Sequence, residues 1–313
     1  MSAKIQRWLY HAAALALLAG VWYTLCRRGP LSAWHLTPVW LLGALLTTSA
    51  MLAVRVEKWR LLLAEGRIPC SRFEPARSLL GAYALASITP GRLGDLSRCM
   101  FTSPGGRTRV LAYTVTDKLF DVFSALSFAA LSLFFLVPYA VAALGVVAWL
   151  GLIVLLVRGP KLLAWQQVLP RRLKRLRELA QAAGQVRCGR FAALAVCAGA
   201  LDLCTLFFLL SAFHATSFTV ALAVYPWLII AGGLPVSLGG LGPREGLCAL
   251  LFPLFSVSSR VAVGVSLVFF AFTAVLPAAL GALWFVIEPP RIERGWRESL
   301  AKTFRQTQQA QHS

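Results

Sequence analysis

Gly232-Gly233-Leu234-Pro235-Val236-Ser237-Leu238-Gly239-Gly240-Leu241-Gly242-Pro243-Arg244-Glu245-Gly246 decides how this chain is read, because it interrupts an apolar run with glycine, proline and two charges. An earlier stretch does the same: Ser87-Ile88-Thr89-Pro90-Gly91-Arg92-Leu93-Gly94-Asp95-Leu96-Ser97-Arg98. In hydrocarbon a broken helix strands backbone N–H and C=O groups, at several kcal/mol per group. Such breaks persist only inside protein or beside a water-filled cavity, which is how transporters build substrate sites. Arginine and carboxylate within the breaks raise that cost further.

The rest of the chain supplies the membrane setting. Of 313 residues, 58% are hydrophobic and 14% charged. A soluble domain carries roughly 25% charge, so the shortfall argues for an all-α polytopic integral membrane protein. Net charge is +19, yet the basic residues cluster beside apolar runs, as the positive-inside rule requires. Nucleic acid is therefore not the expected partner. Seven cysteines without a C-x-x-C pair and four scattered histidines offer no metal site, disulfide framework or nucleophile–base set.

Apolar runs at Leu9–Cys26, Pro38–Val54, Leu119–Val137, Ala140–Val157, Phe191–Phe213 and Val261–Ile287 read as about six full transmembrane helices. The first is read as a retained helix rather than a cleaved signal, since it runs into Arg27-Arg28 without a small-residue cleavage site. The Arg55–Arg77 stretch and the 158–190 loop are rich in lysine and arginine and are placed in the cytoplasm, as are both termini. Ser78–Thr89 then cannot span, because Arg77 and Lys118 lie on the same side. Parity demands a re-entrant hairpin there, and a second one within Thr219–Phe255 opening to the opposite face. Residues 1–290 form one membrane domain on this reading. The 158–190 loop and the 291–313 tail are basic and amphipathic, suited to an anionic leaflet.

In the first break Pro90, Gly91 and Gly94 allow a tight turn, and Arg92, Asp95 and Arg98 stand three apart. On a helix they share a face. Two guanidiniums around one carboxylate leave positive charge for a phosphate headgroup; the competing reading is a set of topology anchors at the interface. In the second break, with Pro235, Gly239, Gly240 and Gly242, Pro243 and Glu245 read as the first turn of a short helix. Its N-terminus beside Arg244 is an anion site. Glu245 either pairs with Arg244 or exchanges a proton. Asp202, deep in an apolar run, is expected to be protonated or to pair with Arg92, Arg98 or Arg244. Thr114-x-x-Asp117 has the spacing of a capping box opening a helix, with Asp117, Lys118 and Asp121 pairing locally. No phosphate-loop lysine-serine follows the glycines.

Four local motifs carry a resemblance to the lysylphosphatidylglycerol synthase transmembrane-region family, also described as flippase-like. They are Lys58-Trp59-Arg60-Leu61-Leu62-Leu63, Pro90-Gly91-Arg92-Leu93-Gly94-Asp95 with Arg98, Asp117-Lys118-Leu119-Phe120-Asp121, and Leu234 to Gly246. Two departures are Lys118, where the family often has arginine, and Pro243, where a branched apolar residue is common. The resemblance implies a flippase domain that moves charged or glycosylated lipids between leaflets. The aminoacyltransferase domain that follows in two-domain synthases is not expected before Ser313, so synthase activity is not carried over. Arg92, Asp95, Arg98, Asp202, Arg244 and Glu245 are the expected headgroup-binding residues, in a non-enzymatic protein without cofactor.

Expected partners are membrane lipids with anionic or glycosylated headgroups. A homo-oligomer or a separate lipid-modifying enzyme or glycosyltransferase fits the same reading, with the plasma membrane as location. Two alternatives stay open: a scaffold for such an enzyme, which has no need of polar breaks, and a lipid-phosphate transferase, which needs an acidic cluster that the sequence does not offer.

Overall fold

The computed structural model describes residues 37–87, 89, 93–101, 107–162, 188–214, 216–233 and 241–287. The first apolar run, most of the basic loop and the C-terminal tail lie outside them. So do Ile88, Pro90, Gly91, Arg92 and residues 234–240, which include Pro235, Gly239 and Gly240.

All regular structure among the described residues is helical. In chain order it comprises α1 (Pro38–Glu65), α2 (Glu74–Ser87), a 3-10 helix (Leu93–Met100), α3 (Arg107–Leu136), α4 (Tyr139–Leu162) and α5 (Cys188–Phe213). It continues with α6 (Phe218–Gly233), α7 (Pro243–Leu251), a short 3-10 turn (Phe252–Phe255), α8 (Ser259–Phe270), a π-helical turn (Ala271–Val275) and α9 (Leu276–Ile287). Four helical stretches are long and apolar enough to cross a membrane: Pro38–Glu65, Arg109–Leu136, Cys188–Phe213 and Ser259–Trp284. Large apolar side chains on their outer faces stand exposed, among them Leu46, Leu119, Leu131 and Leu283. These are faces for lipid rather than for water.

Two of these helices run further than hydropathy alone suggests. The spans read as Pro38–Val54 and Leu119–Val137 extend to Glu65 and back to Arg107, because their polar ends are buried against each other. Thr114 therefore lies inside α3, donating back to the Val110 carbonyl at 2.9 Å, and the capping box expected from Thr114-x-x-Asp117 does not form. A threonine within a helix makes this bond to the preceding turn.

The centre is an antiparallel pair, α1 along α5. Trp40 meets Phe207 and Phe208 at one end. Thr47 and Thr205 share a 2.8 Å hydrogen bond in the middle. Arg55 reaches Asp202 beyond them. Around this pair the two halves of the chain repeat one plan. In the first half α2 folds back on the 3-10 helix, which in turn contacts α3. In the second half α6 folds back on α7, which contacts α8. The first arm of each hairpin crosses to the other half. The carbonyl of Leu80 and the amide of Gly81 in α2 lie against Gly281 of α9, and α6 sets Tyr225 and Trp227 on Phe128 and Ser132 of α3. Since α1 and α5 are antiparallel, the halves point in opposite directions.

Each hairpin closes at a residue without a side chain. A Cβ on Gly94 would strike the backbone of Leu85 and Ala86, so only glycine lets the 3-10 helix lie against α2. Thr89 ties the bend, accepting from the Gly94 amide at 2.8 Å and donating to the Leu85 carbonyl at 3.0 Å. The helix crossing at Gly281 is equally tight, whereas a Cβ on Gly246 meets nothing within 4 Å. Gly281→Val should therefore cost about 1–3 kcal/mol by overpacking, read as a drop in the melting temperature of the detergent-solubilised protein, while Gly246→Ala should leave it unchanged.

Candidate functional site

Two polar centres lie in this frame, one beneath each hairpin. The first joins α1, the 3-10 helix, α3 and α5. Arg55 and Lys58, one helical turn apart on α1, face the bundle. Lys58 is 1% exposed and reaches Asp117 at 2.9 Å and Asp121 at 2.5 Å. Arg98 from the 3-10 helix takes the other oxygen of Asp117 at 2.6 Å. Lys118 pairs with Asp95 at 2.7 Å and lies 3.5 Å from Asp121. Arg55 completes the set, donating to Asp202 at 2.7 Å and to the Tyr83 hydroxyl at 2.6 Å. Four bases, Arg55, Lys58, Arg98 and Lys118, thus meet four aspartates at 95, 117, 121 and 202. Among the described residues the centre is neutral.

Neutrality follows from the surroundings. An ion removed from water without a counter-ion costs several kcal/mol, and pairing with good geometry is what offsets it. Arg98 gains a further contact, its guanidinium lying 4.9 Å from the centre of the Trp59 ring. Trp59 in turn donates to Ser78 of α2 at 2.8 Å. The hairpin is thereby held from both sides.

This arrangement changes three expectations. The spare positive charge predicted for the first break is absent from its described part, because Arg98 is matched by Asp117 and Asp95 by Lys118. Asp202 pairs with Arg55 rather than with Arg98 or Arg244, since α1 lies directly alongside α5. Asp117, Lys118 and Asp121 do more than pair locally; they bind α3 to α1 and to the hairpin. Arg55, Lys58 and Tyr83 were missed as site residues. The signal was present in Arg55 and Lys58, three apart at the end of an apolar run, but it also fits charges that merely fix topology.

The second centre is smaller. Gly242 caps α7 with φ 98°, a backbone conformation that glycine alone adopts without strain. Pro243 follows at the first helical position, as the sequence predicts. Glu245 folds back so that its carboxylate accepts from the Gly242 amide at 2.6 Å and from the Ser266 hydroxyl at 3.2 Å. Arg244 is 5% exposed. Its aliphatic stem packs on Gly232 at the end of α6, and its guanidinium stands 5.5 Å and 5.3 Å from the ring centres of Phe269 and Phe270. The structure thus brings Asp95 and Arg98 together with Asp202 in one centre, and Arg244 with Glu245 in the other. Ser266, Phe269 and Phe270 had no signal in the sequence, being ordinary residues of an apolar run.

A helical bundle with four stretches long and apolar enough to cross a membrane, and with charge buried between them, is that of a multi-pass membrane protein. The chain belongs to the family described as the lysylphosphatidylglycerol synthase TM region, whose model matches residues 9–281. No curated protein matches the chain significantly.

Asp117 joins two almost wholly buried cations, Lys58 and Arg98, whereas Asp95 meets the more exposed Lys118, so their removal should differ. Breaking a buried pair from one side costs about 3–5 kcal/mol. Asp117→Asn should therefore lower the unfolding temperature well beyond Asp95→Asn, whose partner Lys118 is a third exposed. Parallel thermal-shift measurements in one detergent check the order; equal shifts would remove Asp117 from the centre of the network.

Proposed function

We propose that this protein is a lipid flippase, moving an anionic, aminoacylated or polyprenyl-phosphate-linked glycolipid between leaflets of the plasma membrane. The observation that carries the reading is Arg244, a buried guanidinium held over two phenyl rings beside the N-terminus of α7, where the second hairpin breaks. A planar guanidinium next to a helix N-terminus suits a phosphate oxygen, and the lipid's tails would stay in the bilayer while its headgroup crosses between the hairpins. Membership of a lipid-related membrane family supports the same reading. Arg244 holds the phosphate in this proposal, joined by Arg92 of the first break. Arg98, Asp95 and Asp202 act through the neutral network that positions the hairpins. Glu245 orders the α7 turn and balances Arg244. Substrate leaves unaltered, so the protein is a carrier and not an enzyme. Its N- and C-termini lie in the cytoplasm.

Native mass spectrometry of the protein extracted from its own membrane, wild type beside Arg244→Ala, tests the site. One anionic or glycosylated lipid should remain with wild type and be lost from the variant. Reconstitution in vesicles with that lipid should then show a rate of leaflet exchange at least about tenfold lower for Arg244→Ala, the loss of one charge-assisted contact. Bulk phospholipid retained equally by both proteins would remove the headgroup site from the second break.

A further inference from the structure

The last membrane span is one run of chain but grips both hairpins. Its first piece, α8, holds the second hairpin: Ser266 donates to Glu245 at 3.2 Å, and Phe269 and Phe270 turn their ring faces to Arg244 of α7. Its last piece, α9, holds the first hairpin. There Gly281 lets the backbone of Leu80 and Gly81 in α2 come so near that a Cβ would collide with it. Between the two pieces lies the π-helical turn Ala271–Val275, which packs against α1 and α2.

The sequence explains why the helix is irregular at this point. A regular α-helix would aim the Pro277 nitrogen at the Thr273 carbonyl, but proline has no N–H to give and its ring would strike that oxygen. The chain widens instead, and the Leu276 amide donates to the Ala271 carbonyl, five residues back. Thr273 adds to the distortion. Its hydroxyl donates to the Phe269 carbonyl at 2.8 Å, a back-bond that competes with the helix ladder and favours bending. Proline and a π-bulge are known causes of kinks, and here both follow directly on the two rings that carry Arg244.

We infer that the Ala271–Val275 turn is a hinge, at which α8 with α7 and Arg244 tilts against α9 with α2. A straight, fully bonded helix would hold its two attachments at one fixed separation. A turn with a displaced ladder absorbs backbone change locally, as hinges at element ends do, and π-turns recur at functional sites for this reason. The tight crossing at Gly281 and the buried ring of Pro277 fix the α9 side. Val275 within the turn is 47% exposed and has room to move. Movement of this kind does not depend on whether the carried molecule is a lipid.

Spin-label distances from double electron–electron resonance in proteoliposomes test the hinge, in a protein whose seven native cysteines are replaced by alanine. Labels at Leu96→Cys on the first hairpin and Leu250→Cys on α7 span it. Labels at Leu96→Cys and Leu280→Cys lie on one side of it. All three side chains are exposed. The spread of distances should be about twofold or more wider across the hinge than beside it. Pro277→Ala, which restores an amide donor, should shrink the wider spread toward the narrower and leave the 96–280 pair unaltered. Should that protein fail to purify, Thr273→Ala, which withdraws the competing hydroxyl, serves in its place and should act in the same direction. Equal spreads for the two pairs before either substitution overturn the inference. So does a spread across the hinge that the substitution leaves undiminished.

Discussion

Polar groups placed among apolar helices must find partners in the protein, and this requirement governs every part of the molecule that is not simply apolar. Water cannot satisfy a backbone amide or a guanidinium in hydrocarbon. The chain answers with local closure at its broken hairpins. Thr89 binds the Gly94 amide across the first bend, and Glu245 binds the Gly242 amide at the second. It answers with charge matching in the core, where each of Arg55, Lys58, Arg98 and Lys118 has an aspartate. The extra length of α1 and α3 beyond their apolar runs has the same cause. Their charged ends stay helical because each completes the other.

The two halves solve one architectural problem with different chemistry. In both, a hairpin packs on the following long helix near its start and sends its first arm across to the other half. The first hairpin is fastened to α3 by ion pairs at Asp117 and Lys118. The second is fastened to α8 by a hydroxyl and two phenyl faces. Ion pairs are directional and costly to leave half-made. Ring faces hold a cation while tolerating some sliding.

Much of this was legible in the sequence. The all-helical membrane class, the short α7 with Pro243 at its start and the family all follow from glycine, proline and charge set in apolar runs. These are local signals, with local physical causes. The partner choices were not legible. Asp202 pairs with Arg55 because α1 and α5 lie antiparallel, and no spacing in the sequence states that adjacency. Lys58 and Arg55 resemble the interfacial cations that follow any span, since the positive-inside rule and a buried network draw on the same residues at the same place. Phe269 and Phe270 sit in an apolar run where an aromatic carries no distinguishing mark. Their role depends wholly on α7 docking there.

A carrier must be stable when empty as well as when loaded, and that bears on where an anionic headgroup can bind in the proposed transport. Among the described residues the first centre matches four bases with four acids. Adding a phosphate to it would require some aspartate to leave its cations, and Asp121 lies within ion-pair distance of both Lys58 and Lys118. The second centre differs in kind. The carboxylate of Glu245 lies where a helix N-terminus would hold an anion, bonded to the Gly242 amide, while the Arg244 guanidinium lies over the rings of Phe269 and Phe270. A cation over ring faces beside a helix start is the arrangement on which the proposed binding at the second hairpin rests.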